Sequence, residues 1–244
     1  MKPVRLDKAI ADQGLLSRRE VRELIRRGVV RVNGDLVSSP EYPVAQEDCV
    51  TVEGQELIIR RFLYLMMNKP AGVLSATRDR NASTVVDLVP PSLRRKGLFP
   101  AGRLDKDTTG FVLLTDDGDF SHKILSPKSH IPKTYHVRFD CPMRPEMPGA
   151  FAAGLTLDGG DACLPASIRL LDPSEPTVAE IVIHQGLYHQ IKRMAAQFSL
   201  GVVELRRVKM GELALDQSLK PGECREITAA ERTLLLQKAP LIFE

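Results

Sequence analysis

The stretch Gly102-Arg103-Leu104-Asp105-Lys106-Asp107-Thr108-Thr109-Gly110 is polar, framed by glycines, and runs directly into the apolar segment Phe111-Val112-Leu113-Leu114. A loop carried on a rigid strand is a common place for catalytic groups. Its carboxylates, Asp105 and Asp107, could act as nucleophile, base or acid, or be surface acids. They do not define a glycosidase pair, because that chemistry needs two separated carboxylates rather than neighbours in one loop. Asp116-Asp117-Gly118-Asp119 lacks the ligand spacing of a calcium loop and reads as a turn and helix cap. The histidines form no H-E-x-x-H arrangement, and there is no G-x-S-x-G elbow. His184 and His189 read as strand and cleft residues, so no metal ligand is expected.

The elements that must position this loop follow from periodicity. Phe62-Leu63-Tyr64-Leu65-Met66-Met67 predicts a strand ended by Asn68-Lys69-Pro70, and Phe111 to Thr115 predicts another. A helix is expected from Phe120 to Leu125. Tyr135-His136-Val137-Arg138-Phe139 alternates, which puts Tyr135, Val137 and Phe139 on one face. Tyr135 could thus flank an apolar pocket, or simply be a core tyrosine. Ala179 to Ile183 reads as a strand. Ile191, Met194, Ala195 and Phe198 have helical spacing within Gln190 to Phe198. The fold class expected is α+β, with a mixed, largely antiparallel sheet flanked by helices.

The first 45 residues have a different character. From Met1 to Arg31 there are nine basic residues (Lys2, Arg5, Lys8, Arg18, Arg19, Arg22, Arg26, Arg27, Arg31) against four acids (Asp7, Asp12, Glu20, Glu23). The net charge of the whole chain is only +3, so a basic front end points to a polyanionic partner. Leu6, Ala9 and Ile10 have helical spacing up to Gly14. Ser17-Arg18-Arg19-Glu20 reads as a capping box that opens a second helix, and Gly28 stops it. Arg18, Arg19, Arg22 and Arg26 fall in one sector of that helix, with no acid expected among them. Asn33-Gly34 between short apolar runs signals a hairpin. Ser38 to Gln55 reads as a connector with one short strand at Cys49 to Val52. The chain is expected to divide into a basic, polyanion-binding domain with linker, residues 1–59, and a second domain that carries the polar loop, residues 60–244.

Composition narrows the class further. No apolar run approaches the roughly 18 residues that a membrane helix needs, and the N-terminus has no signal-peptide core. The four cysteines lie far apart with no C-x-x-C pair, which fits a reducing cytoplasm. Aromatic residues are 5% with no tryptophan, which argues against an aromatic platform for single strands.

Taken together, Tyr64-Leu65-Met66-Met67-Asn68-Lys69-Pro70-Ala71-Gly72, Arg103-Leu104-Asp105, Lys133-Thr134-Tyr135 and Tyr188-His189-Gln190-Ile191-Lys192-Arg193-Met194 resemble the ordered motifs of the pseudouridine synthases. The last of these, with Val202-Val203-Glu204-Leu205, is similar to the RsuA branch. Arg5-Leu6-Asp7-Lys8, Ser17-Arg18-Arg19 and Gly28 to Gly34 resemble a small RNA-binding domain shared with a ribosomal small-subunit protein. The resemblance implies Asp105 as the essential carboxylate, Tyr135 stacking on the target base, and Lys192 as the basic partner of the aspartate. It implies Arg103 filling the place of the extruded base and Leu113 in an apolar floor. Tyr188, His189, Gln190 and Arg193 would bind substrate, while Arg5, Lys8, Arg18, Arg19, Arg22 and Arg26 would bind RNA phosphates. The expected partner is ribosomal RNA, most directly small-subunit RNA in a partly assembled particle. The protein would act as a cytoplasmic monomer with no membrane association. The isomerisation needs no redox carrier or energy source, so no cofactor is expected. A large-subunit rRNA target and a non-catalytic assembly factor stay open as alternatives. Gln185-Gly186-Leu187 departs from the branch's usual Glu-Gly-Arg, which bears on substrate contacts near Tyr188.

Overall fold

Ser17 and Glu20 cap one another as the sequence predicts. Ser17 Oγ accepts from the Glu20 N–H at 3.3 Å, and Glu20 Oε2 accepts from the Ser17 N–H at 2.6 Å. The computed structural model describes residues 3–45, 47–126 and 129–237. It contains two compact units, Met1–Leu63 with Val89–Leu98, and Tyr64–Leu88 with Phe99–Glu244. Lys2, counted above among the basic residues, lies outside the described residues.

The first unit runs β1 (Val4–Arg5), α1 (Leu6–Ala11), α2 (Arg18–Arg26), β2 (Val30–Val32), β3 (Asp35–Leu36), β4 (Pro43–Val44), β5 (Val50–Val52) and β6 (Gln55–Leu57). Asn33 and Gly34 both take positive φ, 54° and 90°, in the β2–β3 turn, as a tight two-residue hairpin requires. The helices and strands share one core of Leu6, Ile10, Val21, Ile25, Val30, Val32, Val37, Val44 and Val50. The expected connector is therefore part of this unit. Val44 and Val50 are in its core, β5 and β6 complete a four-stranded sheet of order β3-β2-β5-β6, and Leu57 and Ile59 pack against the core. Two helices and one hairpin leave apolar surface uncovered, and the second hairpin covers it.

The expectation of an acid-free arginine face is also corrected. Asp7, from α1, is fully buried and accepts from Arg5, Arg18 and Arg22, while Arg26 pairs with Glu23 on its own helix. Helical-wheel geometry shows only residues of one helix, and Asp7 arrives from another.

The second unit runs β7 (Tyr64–Lys69), β8 (Phe99–Ala101), β9 (Thr109–Thr115), α3 (Gly118–Leu125), β10 (Lys133–Phe139), α4 (Met147–Ala153), β11 (Ser167–Leu170), β12 (Val178–Ile183), α5 (Gln190–Ala196), β13 (Val202–Met210), β14 (Leu213–Ala214), β15 (Cys224–Glu226) and α6 (Ala229–Leu235). Its nine-stranded sheet has the order β11-β12-β10-β13-β9-β7-β15, with β14 on β13 and β8 on β9. All pairings are antiparallel except β13 with β9. The domain is thus α+β with a mixed, largely antiparallel sheet. Every residue of β7 is buried, and so is β9 after its first residue, which explains why these strands read as continuous apolar runs rather than alternations. Asp117 caps α3, accepting from the Phe120 N–H at 3.0 Å. The strand expected to end before Asn68 continues through Lys69, and α5 stops at Ala196, short of Phe198.

The parallel crossing of β9 and β13 sits immediately after the polar loop, at Gly110 opposite Arg207. Gly110 has φ +97°, and a Cβ there would lie 2.2 Å from the Arg207 carbonyl oxygen. Gly110→Ala is expected to destabilise the protein by about 2 kcal/mol or more, because both the backbone conformation and the close approach are lost. Urea denaturation of the two proteins measures this, and equal midpoints would contradict it.

Candidate active site

Lys69 closes β7 with a fully buried ammonium. Its Nζ donates to the carbonyls of Thr108 at 2.7 Å, Pro70 at 3.0 Å and Lys106 at 3.2 Å. All three ammonium protons thus find acceptors, which a buried charge needs. Two of the acceptors lie within the Asp105–Thr108 turn, so the loop is wrapped on the end of a core strand. Burial pushes the Lys69 amine down to about 8, against the pull of Asp107 and Asp105. The Ser75 hydroxyl accepts from the Leu104 N–H at 3.1 Å and fixes the other side of the loop. The sequence marks Asn68-Lys69-Pro70 as a strand end and as part of a family motif, but assigns the Lys69 amine no role. A lysine inside a run of buried residues is the signal that could have marked it.

Asp105 stands partly exposed, 28%, at the mouth of an open pocket. The pocket is lined by Leu104, Tyr135, Ile183, Leu187, Ile191 and Leu205 on its apolar side, with Arg103, Thr108, His189, Gln190 and Lys192 among its polar groups. Lys192 Nζ lies 3.6 Å from Asp105 Oδ2, and His189 Nε2 lies 3.5 Å from Oδ1. The nearest partner of Lys192 is Asp107, whose two oxygens accept at 2.7 Å. That hydrogen bond holds the Asp107 carboxyl below the usual range. Lys192 is thus shared. It hydrogen-bonds Asp107 and only faces Asp105, which leaves the Asp105 oxygens free of a tight bond.

Tyr135 is 7% exposed and reaches the pocket from β10, with Val137 and Phe139 buried on its face. The Tyr135 hydroxyl has no partner among the described residues. Strand register sets Arg207 of β13 beside Tyr135. Arg207 is buried, and its Nε donates to the Phe111 carbonyl at 2.7 Å. Lys133, two residues before Tyr135, is buried as well, and desolvation, with Arg207 nearby, lowers its amine to about 8. Arg103 is exposed at the pocket rim with no partner among the described residues.

The Tyr188–Met194 segment divides into distinct parts. His189 adopts a left-handed conformation, φ 48° and ψ 34°, as the residue before α5. Strain of this kind in a non-glycine residue is held only by its surroundings. It turns the imidazole to Asp105 while the ring stacks on Tyr188 at 3.9 Å. Tyr188 is 76% exposed and does not line the pocket. Gln190 lines the pocket and also accepts from the Leu187 N–H at 3.1 Å.

Two further expected site residues lie outside the pocket lining. Leu113 is fully buried within β9 and does not line the pocket, whose apolar wall comes from Leu205 and Ile183 of neighbouring strands. Arg193 turns away from the pocket. It donates to Asp161 Oδ2 at 2.8 Å and to the Tyr188 and Asp158 carbonyls, and so ties the loop around residue 160 to α5. Gln185, at the position of the departure from the branch pattern, serves the same loop through Leu164 N–H and the Ala162 carbonyl.

A carboxylate flanked by a shared ammonium and an imidazole, over a pocket with a tyrosine in its wall, suits attack on or proton removal from a sugar bearing a planar base. Comparison with known proteins gives the family. A model of the RNA pseudouridylate synthase family matches residues 63–197, and an S4 domain model matches residues 4–50. The chain is 45% identical to the uncharacterized RNA pseudouridine synthase YtzG of Bacillus subtilis, covering 95% of this chain and 98% of that one. It is 40% identical to ribosomal small subunit pseudouridine synthase A of Haemophilus influenzae, covering 93% of this chain and 97% of that one. A crystal structure of a pseudouridylate synthase superposes with a TM-score of 0.67 at 39% identity, covering 95% of this chain and 99% of that one. The chain belongs to the RNA pseudouridylate synthase family and carries an N-terminal S4 domain.

The buried amine beside Tyr135 gives a stability prediction with a definite sign. The folded protein holds the Lys133 proton more weakly than the unfolded chain does, with a folded value of about 8 against 10.5. The charged amine therefore costs stability at neutral pH, and the cost fades as pH rises from about 8 past 10.5. Lys133→Met is expected to raise the melting temperature by a few degrees at pH 7, and the gain is expected to shrink toward pH 10. A melting temperature lowered at pH 7, or a gain that grows with pH, would contradict the assignment.

Proposed function

We propose that this enzyme converts a uridine of small-subunit ribosomal RNA to pseudouridine, with the Asp105 carboxylate acting on the ribose. The observation that carries this reading is the position of Asp105. It stands at the pocket mouth, faced by Lys192 and His189 without a tight hydrogen bond to either. The small-subunit target is supported by likeness to relatives named for that substrate, which extends through both domains.

In the reaction the N1–C1′ bond of uridine breaks, the uracil turns, and C5 bonds to C1′. The proton on C5 leaves to solvent, and N1 gains one. Asp105 assists either as a nucleophile on the sugar or as a base toward it. The target nucleotide must first leave its stack, which costs a few kcal/mol in structured RNA. Arg103, exposed and unengaged at the rim, can occupy the vacated place and offset part of that cost. Tyr135 offers a ring against the base and a hydroxyl free to handle its proton. The exposed Tyr188 and the half-buried Lys192 contact the RNA around the flipped nucleotide. The S4 domain adds affinity through Arg5, Lys8, Arg18, Arg19, Arg22 and Arg26, which position the RNA by its phosphates rather than by sequence. We place the enzyme in the cytoplasm as a monomer acting on partly assembled particles.

Asp105→Asn is expected to lower turnover by about four orders of magnitude or more while RNA binding persists. The check is tritium release from rRNA labelled at uracil C5, offered as small-subunit and large-subunit particles separately. Substantial residual release by the variant would sink the role of Asp105. Release from large-subunit RNA alone would overturn the substrate but keep the chemistry. Replacing Arg18, Arg22 and Arg26 together with alanine is expected to weaken RNA binding and flatten its salt dependence. An unchanged slope in a salt titration would show that these arginines do not meet phosphate.

A further inference from the structure

The S4 domain contains an arrangement that the sequence did not foretell. Asp7 has a fully buried side chain, yet three arginines converge on it, each of them about half exposed. Arg5 donates through Nε to Oδ1 and Nη2 to Oδ2, both at 3.2 Å. Arg18 reaches both oxygens with Nη2 at 3.0 Å. Arg22 reaches Oδ2 with Nε and Nη2 at 3.0 Å. The guanidinium groups themselves shut the carboxylate off from solvent.

The three arginines come from different places, one from the strand preceding α1 and two from successive turns of α2. Long arginine side chains on a surface ordinarily roam, and holding one still costs entropy. Here one carboxylate fixes all three at a single point, and with Asp7 and the Glu41 partner of Arg5 each at −1 against three of +1, the cluster keeps +1. Each guanidinium has five N–H donors in a planar fork. Arg18 spends only Nη2 on Asp7, which leaves its Nε and Nη1 edge unused among the described residues. Arg22 likewise keeps Nη1 unused. Arg5 is further held by Glu41, 2.8 Å from its Nη1. Lys8 and Arg19 are exposed nearby in sequence, on the same two helices.

We propose that Asp7 is a positioning residue for RNA binding, a buried acid that presents the outward edges of Arg18 and Arg22, with Arg5 fixed beside them, as one preorganised receptor for the phosphates of a folded RNA. The inference rests on the reading that this domain meets RNA through its arginines. It carries a consequence opposite to simple charge counting. Asp7 is an acid inside a surface that binds a polyanion, so neutralising it would tighten binding if the surface were only a field of positive charge. With Asp7 as the organiser, neutralising it loosens binding, because the freed Arg18 and Arg22 must each be ordered again when RNA arrives. The carboxylate is suited to the task. Burial works to raise its pKa, but the three arginine hydrogen bonds outweigh burial and hold it at about 2, so it stays charged at every physiological pH.

The experiment uses the full-length protein with small-subunit and large-subunit rRNA transcripts, measuring affinity as a function of salt. Two variants are compared with wild type, Asp7→Asn and Arg18→Lys. The second keeps the charge and replaces the planar fork by a point charge. Both are expected to bind about fivefold or more weakly, and the salt slope of Asp7→Asn is expected to be no steeper than that of wild type. Tighter binding by Asp7→Asn with a slope steeper by about one, or wild-type affinity in Arg18→Lys, would overturn the proposal. Should Asp7→Asn fail to fold, as judged by circular dichroism, Arg18→Lys decides alone. The triple arginine-to-alanine variant separates the two levels. Binding unchanged in that variant removes the arginine contact itself, whereas binding lost there but strengthened in Asp7→Asn removes only the organising role.

Discussion

The catalytic domain is organised around the buried ammonium of Lys69. A charge at that depth is tolerated only if its protons are matched, and three backbone carbonyls match them. Because two of those carbonyls belong to the loop around Asp105, the loop cannot shift without stranding the charge. The position of Asp105 is therefore as fixed as the core strand β7 from which Lys69 extends. At the far end of the loop, Gly110 lets β9 pass against the backbone of β13, and Arg207 fastens the next carbonyl. The loop is polar and surface-facing, yet anchored at both ends to the most buried strands of the sheet.

The two domains use the same pairing of charges in opposite senses. In the catalytic domain the cation is buried and the carboxylates stand outward, where Asp105 can meet a sugar. In the S4 domain the carboxylate of Asp7 is buried and the cations stand outward, where they can meet phosphate. The arginines are held by direct ion pairs to Asp7, whereas Lys69 holds Asp105 through the carbonyls of its loop and not by an ion pair. This arrangement limits the motion of a charged side chain without removing its net charge. The inner partner bears the desolvation cost and needs several hydrogen bonds to remain ionised, which Lys69 and Asp7 both have.

The rim of the pocket is built differently, from strain and straps. His189 sits in a left-handed conformation that would be costly alone, and it is held there by the Leu187–Gln190 turn and by the start of α5. Arg193, Gln185 and Gln197 bind the loop spanning residues 155–164 to this region. The departure at Gln185 therefore falls on a residue that supports a loop, and Leu187 at the second departure contributes apolar wall to the pocket.

Local patterns in the sequence were enough to give the α+β class, the Ser17–Glu20 capping box, the Asn33-Gly34 hairpin, the strand bearing Tyr135 and the motif around Asp105. Each of these depends on residues close in the chain, so periodicity, turn chemistry and motif order reveal it. What only the tertiary structure decided were the pairings between distant residues. Asp7 among the arginines, Lys192 drawn to Asp107, Arg193 tied to Asp161, and Leu205 rather than Leu113 in the pocket wall all follow from which strands and helices become neighbours. The connector that joined the S4 core has the same origin, since an apolar residue in a loop-like stretch does not show which surface it will cover. Spacing along a chain fixes which side a residue faces, but charge neutralisation and burial are settled by what comes to stand opposite it.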